Sequence, residues 1–197
     1  MSVILASRSP QRRALLRAAG IAHRVVTSRY GEEDVPGVGP AETAAVHARE
    51  KAHDVAARAG FGRDAAVLGA DTVVIVDDRV LGKPADRDEA RQMLDTLRGR
   101  RHVVATAVCL VTPASEHAFV DEAGVVFRDV TPDQIDWYLG QGEWRERAGA
   151  YAVQGSGASL IARVEGDFST VVGLPLGRLL DLLESLGLTP WTGQADT

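Results

Sequence analysis

Two periodicities divide this chain. Val3-Ile4-Leu5 is an unbroken apolar run of strand length. It gives way to Ser7, Ser9 and Pro10 before Leu15, Leu16 and Ala19 set up a helical stripe. Pro10 suits a first helical turn, where its missing N–H costs nothing, and Ser9 is placed to cap it. Gly20 closes this helix, His23 to Ser28 reads as a second short strand, and residues 29–40 read as a Gly- and Pro-containing loop. Ala45, Ala48, Ala52, Val55 and Ala59 form one stripe of a helix over 41–59. Val67 to Val76 is the most apolar strand, interrupted by Asp71, and an Asp77-Asp78 turn returns it through Arg79 to Leu81 as a hairpin arm. Asp86 and Glu89 make a capping-box pattern ahead of Ala90, Met93, Leu94 and Leu97. Residues 101–112 and 117–128 read as two longer, paired strands, and Thr131-Pro132 starts a helix running to Leu139. Residues 140–149 read as a loop against which Trp137 and Trp144 pack, and Gly155-Ser156-Gly157 reads as a turn. Residues 160–164 and 168–172 read as a hairpin, and Leu176, Leu179, Leu180, Leu183 and Leu186 share one face of a last helix. The mixture predicts one α/β domain over residues 1–188, with two lobes around a cleft, and a frayed tail over 189–197.

Composition narrows the class. The 197 residues are 45% hydrophobic and 25% charged, with a net charge of −5. That balance argues against binding polymeric nucleic acid by bulk attraction, while leaving room for a small phosphorylated ligand in a local basic pocket. The single cysteine, Cys109, excludes an internal disulfide and reads as a small core residue. No apolar run is long enough to span a bilayer, and the first residues lack the order of a signal peptide, so a cytoplasmic protein is expected.

Several familiar sites are missing. Gly82-Lys83 runs into Pro84, which rules out a P-loop; no dinucleotide fingerprint, nucleophile elbow or zinc spacing occurs. What remains is a set of charges. The Ser7–Arg13 stretch joins hydroxyls, a helix N-terminus and an inward-facing Arg12, which fits a phosphate grip and equally an ordinary capped helix with solvated arginines. Arg13 pairs with Arg17 on a face turned further out. Lys51 falls on the apolar side of its helix, either as a ligand or with its stem lying along that face. Asp71 interrupts a buried strand, an expensive place for a carboxylate unless it is paired, hydrogen-bonded or metal-bound. Glu32 and Glu33 lie in a loop that solvent alone would explain. Lys83 is held between Gly and Pro, and Gln154 precedes a glycine turn where its amide has access to a base edge. Basic groups for phosphates, carboxylates for a hard cation and an amide for recognition make up the inventory of a magnesium-dependent phosphoanhydride hydrolase.

On its motifs the chain resembles the Maf family of nucleoside triphosphate pyrophosphatases. The matching segments are Leu5–Arg13, Ala48–Ala52, Gly69–Val74, Gly82-Lys83-Pro84, Gly149–Gly155 and Val171–Leu176, in family order. The resemblance implies a Maf/ITPase-like elongated mixed sheet flanked by helices, usually in a homodimer. It implies hydrolysis of the α–β bond of nucleoside triphosphates with a divalent cation, Mg²⁺ or Mn²⁺. By position, Asp71 corresponds to the proton acceptor. Ser7, Ser9, Arg12, Lys51 and Lys83 correspond to phosphate-handling groups. Glu33, or Glu32 given a local length difference, corresponds to an acid beside the metal that Asp71 also meets. Thr72 and Gln154 correspond to positions linked to the branch acting on dTTP and UTP. In that branch the residue after the proline is typically Arg; here it is Gln11, a substrate-side position that has lost a positive charge. The rival reading is a nucleotide-binding regulator of septum formation that acts through a protein partner.

Overall fold

The computed structural model describes residues 2–33, 35–59 and 65–188; the tail expected over 189–197 lies outside them. In chain order the elements are β1 (Ser2–Leu5), α1 (Pro10–Ala18), β2 (His23–Val25), α2 (Pro40–Ala59), β3 (Ala65–Val76), β4 (Arg79–Leu81) and α3 (Arg87–Leu97). They continue with β5 (Arg101–Val111), β6 (Glu116–Phe127), α4 (Pro132–Gln141), β7 (Ile161–Glu165), α5 (Phe168–Val172) and α6 (Leu176–Ser185). Short 3₁₀ segments occupy Ala148–Ala150 and Gly155–Leu160. One seven-stranded mixed sheet runs in the order β2-β1-β3-β5-β6-β7, with β4 paired to β3. β1 is parallel to β2 and β3, whereas β4 is antiparallel to β3 and β7 to β6.

Two places depart from the periodicity. Residues 168–172 are helical rather than a strand. The Asp167 carboxylate accepts from the Ser169 N–H and hydroxyl, both at 2.7 Å, and this cap overrides the strand preference of Val171 and Val172. The glycine turn at 155–157 extends into 3₁₀ structure as far as Leu160. Trp137 points outward, 51% exposed, while Trp144 is buried with its indole N–H on the Leu139 carbonyl at 3.0 Å.

The chain divides into two compact units, residues 1–71, 106–120 and 173–197 in one, 72–105 and 121–172 in the other. The first has its own core, built on Leu5, Leu16, Leu68, Leu110, Leu174 and Leu179. Cys109 is buried, and burial pushes its thiol up to about 12. The second unit is built around Val74, Leu94, Leu97, Ile135, Tyr138 and Leu160. Its β3–β4 hairpin turns through Asp77 and Asp78, both at positive φ (47° and 58°), the backbone that matches the twist of a two-residue hairpin.

In the first unit the buried face of α2 is Ala44, His47, Ala48, Lys51, Ala52 and Val55. Ala44 rather than Ala45 carries the stripe. The alanines let α2 lie very close to β3: a Cβ on Gly69 would stand 2.0 Å from the Ala48 carbonyl oxygen and 2.9 Å from the Ala52 nitrogen. Both are backbone atoms, which cannot step aside as a side chain can. Gly69→Ala is therefore expected to destabilise by about 1–3 kcal/mol or more, a drop in Tm of at least ~2 °C. Gly177→Ala, on the exposed face of α6 with nothing within 4 Å of the new Cβ, is expected to raise Tm slightly. Thermal melts of the two variants check this.

Candidate active site

The first unit gathers most of the charged residues singled out from sequence. β1 ends at Leu5 and α1 begins at Pro10, so residues 6–9 form a loop leading into a helix N-terminus. Ser9 caps that helix, accepting the Arg12 N–H at 3.4 Å, and its hydroxyl donates to Gln11 Oε1 at 3.1 Å. Ser7 Oγ accepts the Ser9 N–H at 3.2 Å.

Arg12 is buried, as its helical phase predicts, but it is held in place by backbone. Its Nε donates to the Gly173 carbonyl at 2.8 Å, and Nη1 donates to the Ala70 carbonyl at 2.8 Å and to Ser7 Oγ at 3.2 Å. Burial pulls this guanidinium down from its ordinary range, against the opposing pull of Asp71 and Glu32. Arg13, expected on an outward face with Arg17, is only half-exposed, and its Nε is buried without a hydrogen-bond partner. Arg17 is exposed.

Lys51 and Asp71 meet directly. Gly69 and Asp71 lie two residues apart on β3, hence on the same face, and α2 rests against that face. The Lys51 Nζ donates to Asp71 Oδ1 at 2.7 Å and stands 2.6 Å from Glu32 Oε1. The side chains of Lys51 and Asp71 are only 10% and 12% exposed, whereas Glu32 is 49% exposed. A buried pair of this kind is costly to break by halves, at about 3–5 kcal/mol, because the remaining charge is stranded. Glu32 thus shares the Lys51 ammonium with Asp71, and Glu33, its neighbour in the same loop, is exposed like Glu32. Asp71 and Glu32 together offer carboxylate oxygens, the donor type a hard divalent cation takes. Among the described residues no group of three or more His, Cys, Asp and Glu side chains converges, so further ligands would come from substrate and water.

Other side chains of α2 hold the Glu32 loop. Asp54 Oδ2 accepts from the Ser28 hydroxyl at 2.9 Å and the Arg29 N–H at 2.7 Å, and Arg58 brackets both oxygens of the same carboxylate. Arg58, chief among these donors, holds the Asp54 carboxyl well below the usual carboxylate range. Arg58 also donates to the Thr27 carbonyl at 2.9 Å. One turn before Lys51, the buried His47 contacts the Tyr30 hydroxyl at 3.1 Å. Burial and the carboxylates of Glu50, Glu32, Glu33 and Asp71 push the Tyr30 phenol up. None of Asp54, Arg58, Tyr30 or His47 had been singled out from sequence. The signal for the three on α2 was the spacing of His47, Lys51, Asp54 and Arg58 along one side of that helix, and Tyr30 carried none.

Thr72, Lys83 and Gln154 belong to the second unit. Thr72 is the half-buried residue of β3 that follows Asp71. Lys83 is exposed, with a loose contact to Glu146 at 3.5 Å, while the carbonyl of Gly82 beside it accepts the Gly149 N–H at 3.0 Å. Gln154 is exposed at the start of the second 3₁₀ segment. Its backbone is fixed from both sides. The Tyr151 hydroxyl meets His102 Nε2 at 2.8 Å, and the Ala152 N–H donates to the Tyr138 hydroxyl at 3.1 Å. Glu143 accepts the N–H groups of Ser156 and Gly157 at 3.0 and 3.2 Å, and the Ser156 bond is the leading reason its carboxyl lies below the ordinary value. Burial brings His102 down to about 4, so the ring is neutral at pH 7.

The chain is similar to known proteins over nearly its whole length. Residues 2–186 match the family described as Maf-like protein. A dTTP/UTP pyrophosphatase of Symbiobacterium thermophilum is 46% identical over 193 residues, covering 98% of each chain. Another dTTP/UTP pyrophosphatase, from Thermus thermophilus, is 45% identical over 188 residues, covering 95% of this chain and 96% of its own. A crystal structure of a nucleoside-triphosphatase (dITP/XTP pyrophosphatase) from Mycobacterium abscessus superposes with a TM-score of 0.48 at 16% identity, covering 94% of this chain and 96% of that one.

Two roles are expected to separate on substitution. Arg12→Ala leaves the Gly173 and Ala70 carbonyls without their donor, at about 1–3 kcal/mol each, and is expected to lower Tm by at least ~4 °C as well as turnover. Lys51→Ala strands Asp71 and is expected to do the same, whereas Arg17→Ala should change neither. Melting curves and nucleotide turnover for the three variants check it; similar effects at all three positions would return Arg12 and Lys51 to the solvated class.

Proposed function

Because the chain belongs to the Maf-like protein family, we propose that it is a nucleoside triphosphate pyrophosphatase, splitting the α–β phosphoanhydride of dTTP and UTP into a monophosphate and diphosphate. The observation that carries this reading on the chain itself is the buried Lys51–Asp71 pair with the exposed Glu32 closing on the same ammonium. In it Asp71 accepts a proton from the attacking water, a general-base role. Lys51 and the fixed guanidinium of Arg12 offset negative charge on the phosphates, and Ser7, Ser9 and the α1 N-terminus supply hydrogen bonds to them. A divalent cation held by Asp71 and Glu32 would neutralise part of the triphosphate charge. Lys83 as a phosphate group, and Thr72 and Gln154 as base-side groups, take their part from the family motifs alone. Cytoplasmic location and a homodimer belong to the same reading. No helix of the described residues is long and apolar enough to cross a membrane.

The test is a panel of triphosphates with product analysis. dTTP and UTP are expected to yield monophosphate and diphosphate, EDTA to abolish turnover and Mg²⁺ or Mn²⁺ to restore it. Asp71→Asn, which keeps volume and shape, should lower turnover by at least ~10². Release of orthophosphate would make the protein a phosphatase, and saturable binding without turnover would make it the regulator.

Gln11 sets the expected breadth of selectivity. Its amide contacts the Ser9 hydroxyl in the first turn of α1, where an Arg would present a charged fork. A hydrogen bond to a charged group contributes about 1.5–3 kcal/mol against about 0.5–1.5 for a neutral one. The native protein is therefore expected to accept several triphosphates, with dTTP and UTP among the better ones, and Gln11→Arg to sharpen the preference for those two. Ratios of kcat/KM for dTTP, UTP, CTP, GTP and 7-methyl-GTP in both forms decide it; unchanged ratios would remove Gln11 from specificity.

A further inference from the structure

We propose that Lys51 is a placeholder cation: its ammonium occupies the position of the divalent ion and must leave Asp71 and Glu32 before that ion can bind. This rests on the reading of those two carboxylates as the acids of the metal site. Lys51 Nζ lies 2.7 Å from Asp71 Oδ1 and 2.6 Å from Glu32 Oε1, so a single charged nitrogen draws two carboxylates to one point. With Lys51 and Asp71 both buried, neither charge is tolerated without a partner, and each supplies the other's. A divalent cation takes the same kind of oxygen at about 2.0–2.6 Å, inside the contact distance the ammonium already fills. The two cations therefore compete for the same lone pairs and repel each other across them.

Of Arg12 and Lys51, it is Lys51 that is built to move. Arg12 is tied to the carbonyls of Gly173 and Ala70 and cannot swing without breaking both bonds. Lys51 has a flexible four-carbon stem, no backbone acceptor among its ion-pair partners, and a compact charge that suits a phosphate oxygen as well as a carboxylate. A triphosphate arriving with its cation supplies both halves of an exchange: the cation takes the carboxylates, and the phosphate takes the displaced ammonium. Metal alone supplies only the first half and leaves the ammonium beside a new positive charge. Binding of the free ion is therefore weak in the native protein, and the site charges fully only when cation and polyphosphate come together.

The consequence runs against intuition. Removing Lys51 lowers turnover yet strengthens binding of the metal alone. Mn²⁺ titrations of nucleotide-free protein, followed by the electron paramagnetic resonance of the free ion, test it on the native chain, Lys51→Met, Lys51→Gln and Asp71→Asn. Lys51→Met and Lys51→Gln are expected to bind Mn²⁺ about tenfold tighter than native or better, and Asp71→Asn in the Lys51→Met background to abolish the gain. Lys51→Gln keeps an amide donor for one carboxylate and serves if the Met variant does not fold. Variants that bind Mn²⁺ no tighter than native, while Asp71→Asn weakens the native protein, would overturn the placeholder and leave the metal reading standing. A gain that survives Asp71→Asn would put the ion elsewhere and overturn it also. Absence of Mn²⁺ binding in every form would overturn the placeholder, and the metal reading is then decided by the loss of turnover in EDTA and its return with Mg²⁺ or Mn²⁺.

Discussion

The closeness of α2 to β3 is the constraint on which the charged cluster depends. Gly69 has no Cβ because the backbone of Ala48 and Ala52 occupies that space. The same approach places Lys51, between those two alanines, over the strand position two residues beyond Gly69. An ordinary helix–sheet spacing of about 10 Å would leave a lysine stem room to bend toward solvent. At this spacing the short path for its nitrogen runs to Asp71. The small residues of α2 thus do more than fill a core: they let the helix that carries the ammonium lie directly against the strand that carries the carboxylate.

Positive charge in the first unit comes in two mechanical forms. The guanidinium of Arg12 is planar, many-handed and satisfied by two backbone carbonyls and a serine, so it acts as a fixed field source and as a joint between α1, β3 and the segment before α6. Lys51 is a point charge on a long stem, held by the side chains of Asp71 and Glu32. A reaction that redistributes charge over phosphates has use for both, one that is already in place and one that can follow the charge. The carboxylates show a similar division. Asp71 is set by the strand, whereas Glu32 belongs to a loop that is positioned by other residues.

Much of this was legible in the chain, because the signals were local. Ser9 and Pro10 mark the start of α1 through cap chemistry that involves only their neighbours, and Asp71 stands out because a carboxylate in an apolar strand needs a reason. The helical phase gives the inward aim of Arg12 and Lys51. What was illegible depended on contacts distant in sequence. Phase cannot say that Arg12 would spend its donors on Gly173 and Ala70, and it set Arg13 too far outward. The family resemblance leaves Glu33 and Glu32 both open, and the contact of Glu32 with Lys51 depends on an ammonium that sits on a different element. Residues 168–172 carry strand-forming side chains and are nevertheless helical, because Asp167 caps them; its hydrogen bonds to Ser169 are invisible to a count of hydrophobic positions.

The tether at Asp54 and Arg58 changes what counts as the same position in a related chain. The segment after β2 is moored to α2 at Thr27, Ser28 and Arg29, and Tyr30 is moored again at His47, before Glu32 is reached. The helix is therefore the ruler, and the loop is measured against it. In a relative whose loop differs in length past this mooring, the residue that meets the lysine would come from a column that a residue-by-residue alignment marks as mismatched. Two chains differing there could be chemically identical while appearing to have lost the residue that matters, and the reliable marker of equivalence is the carboxylate on the helix that holds the loop, three positions beyond the lysine.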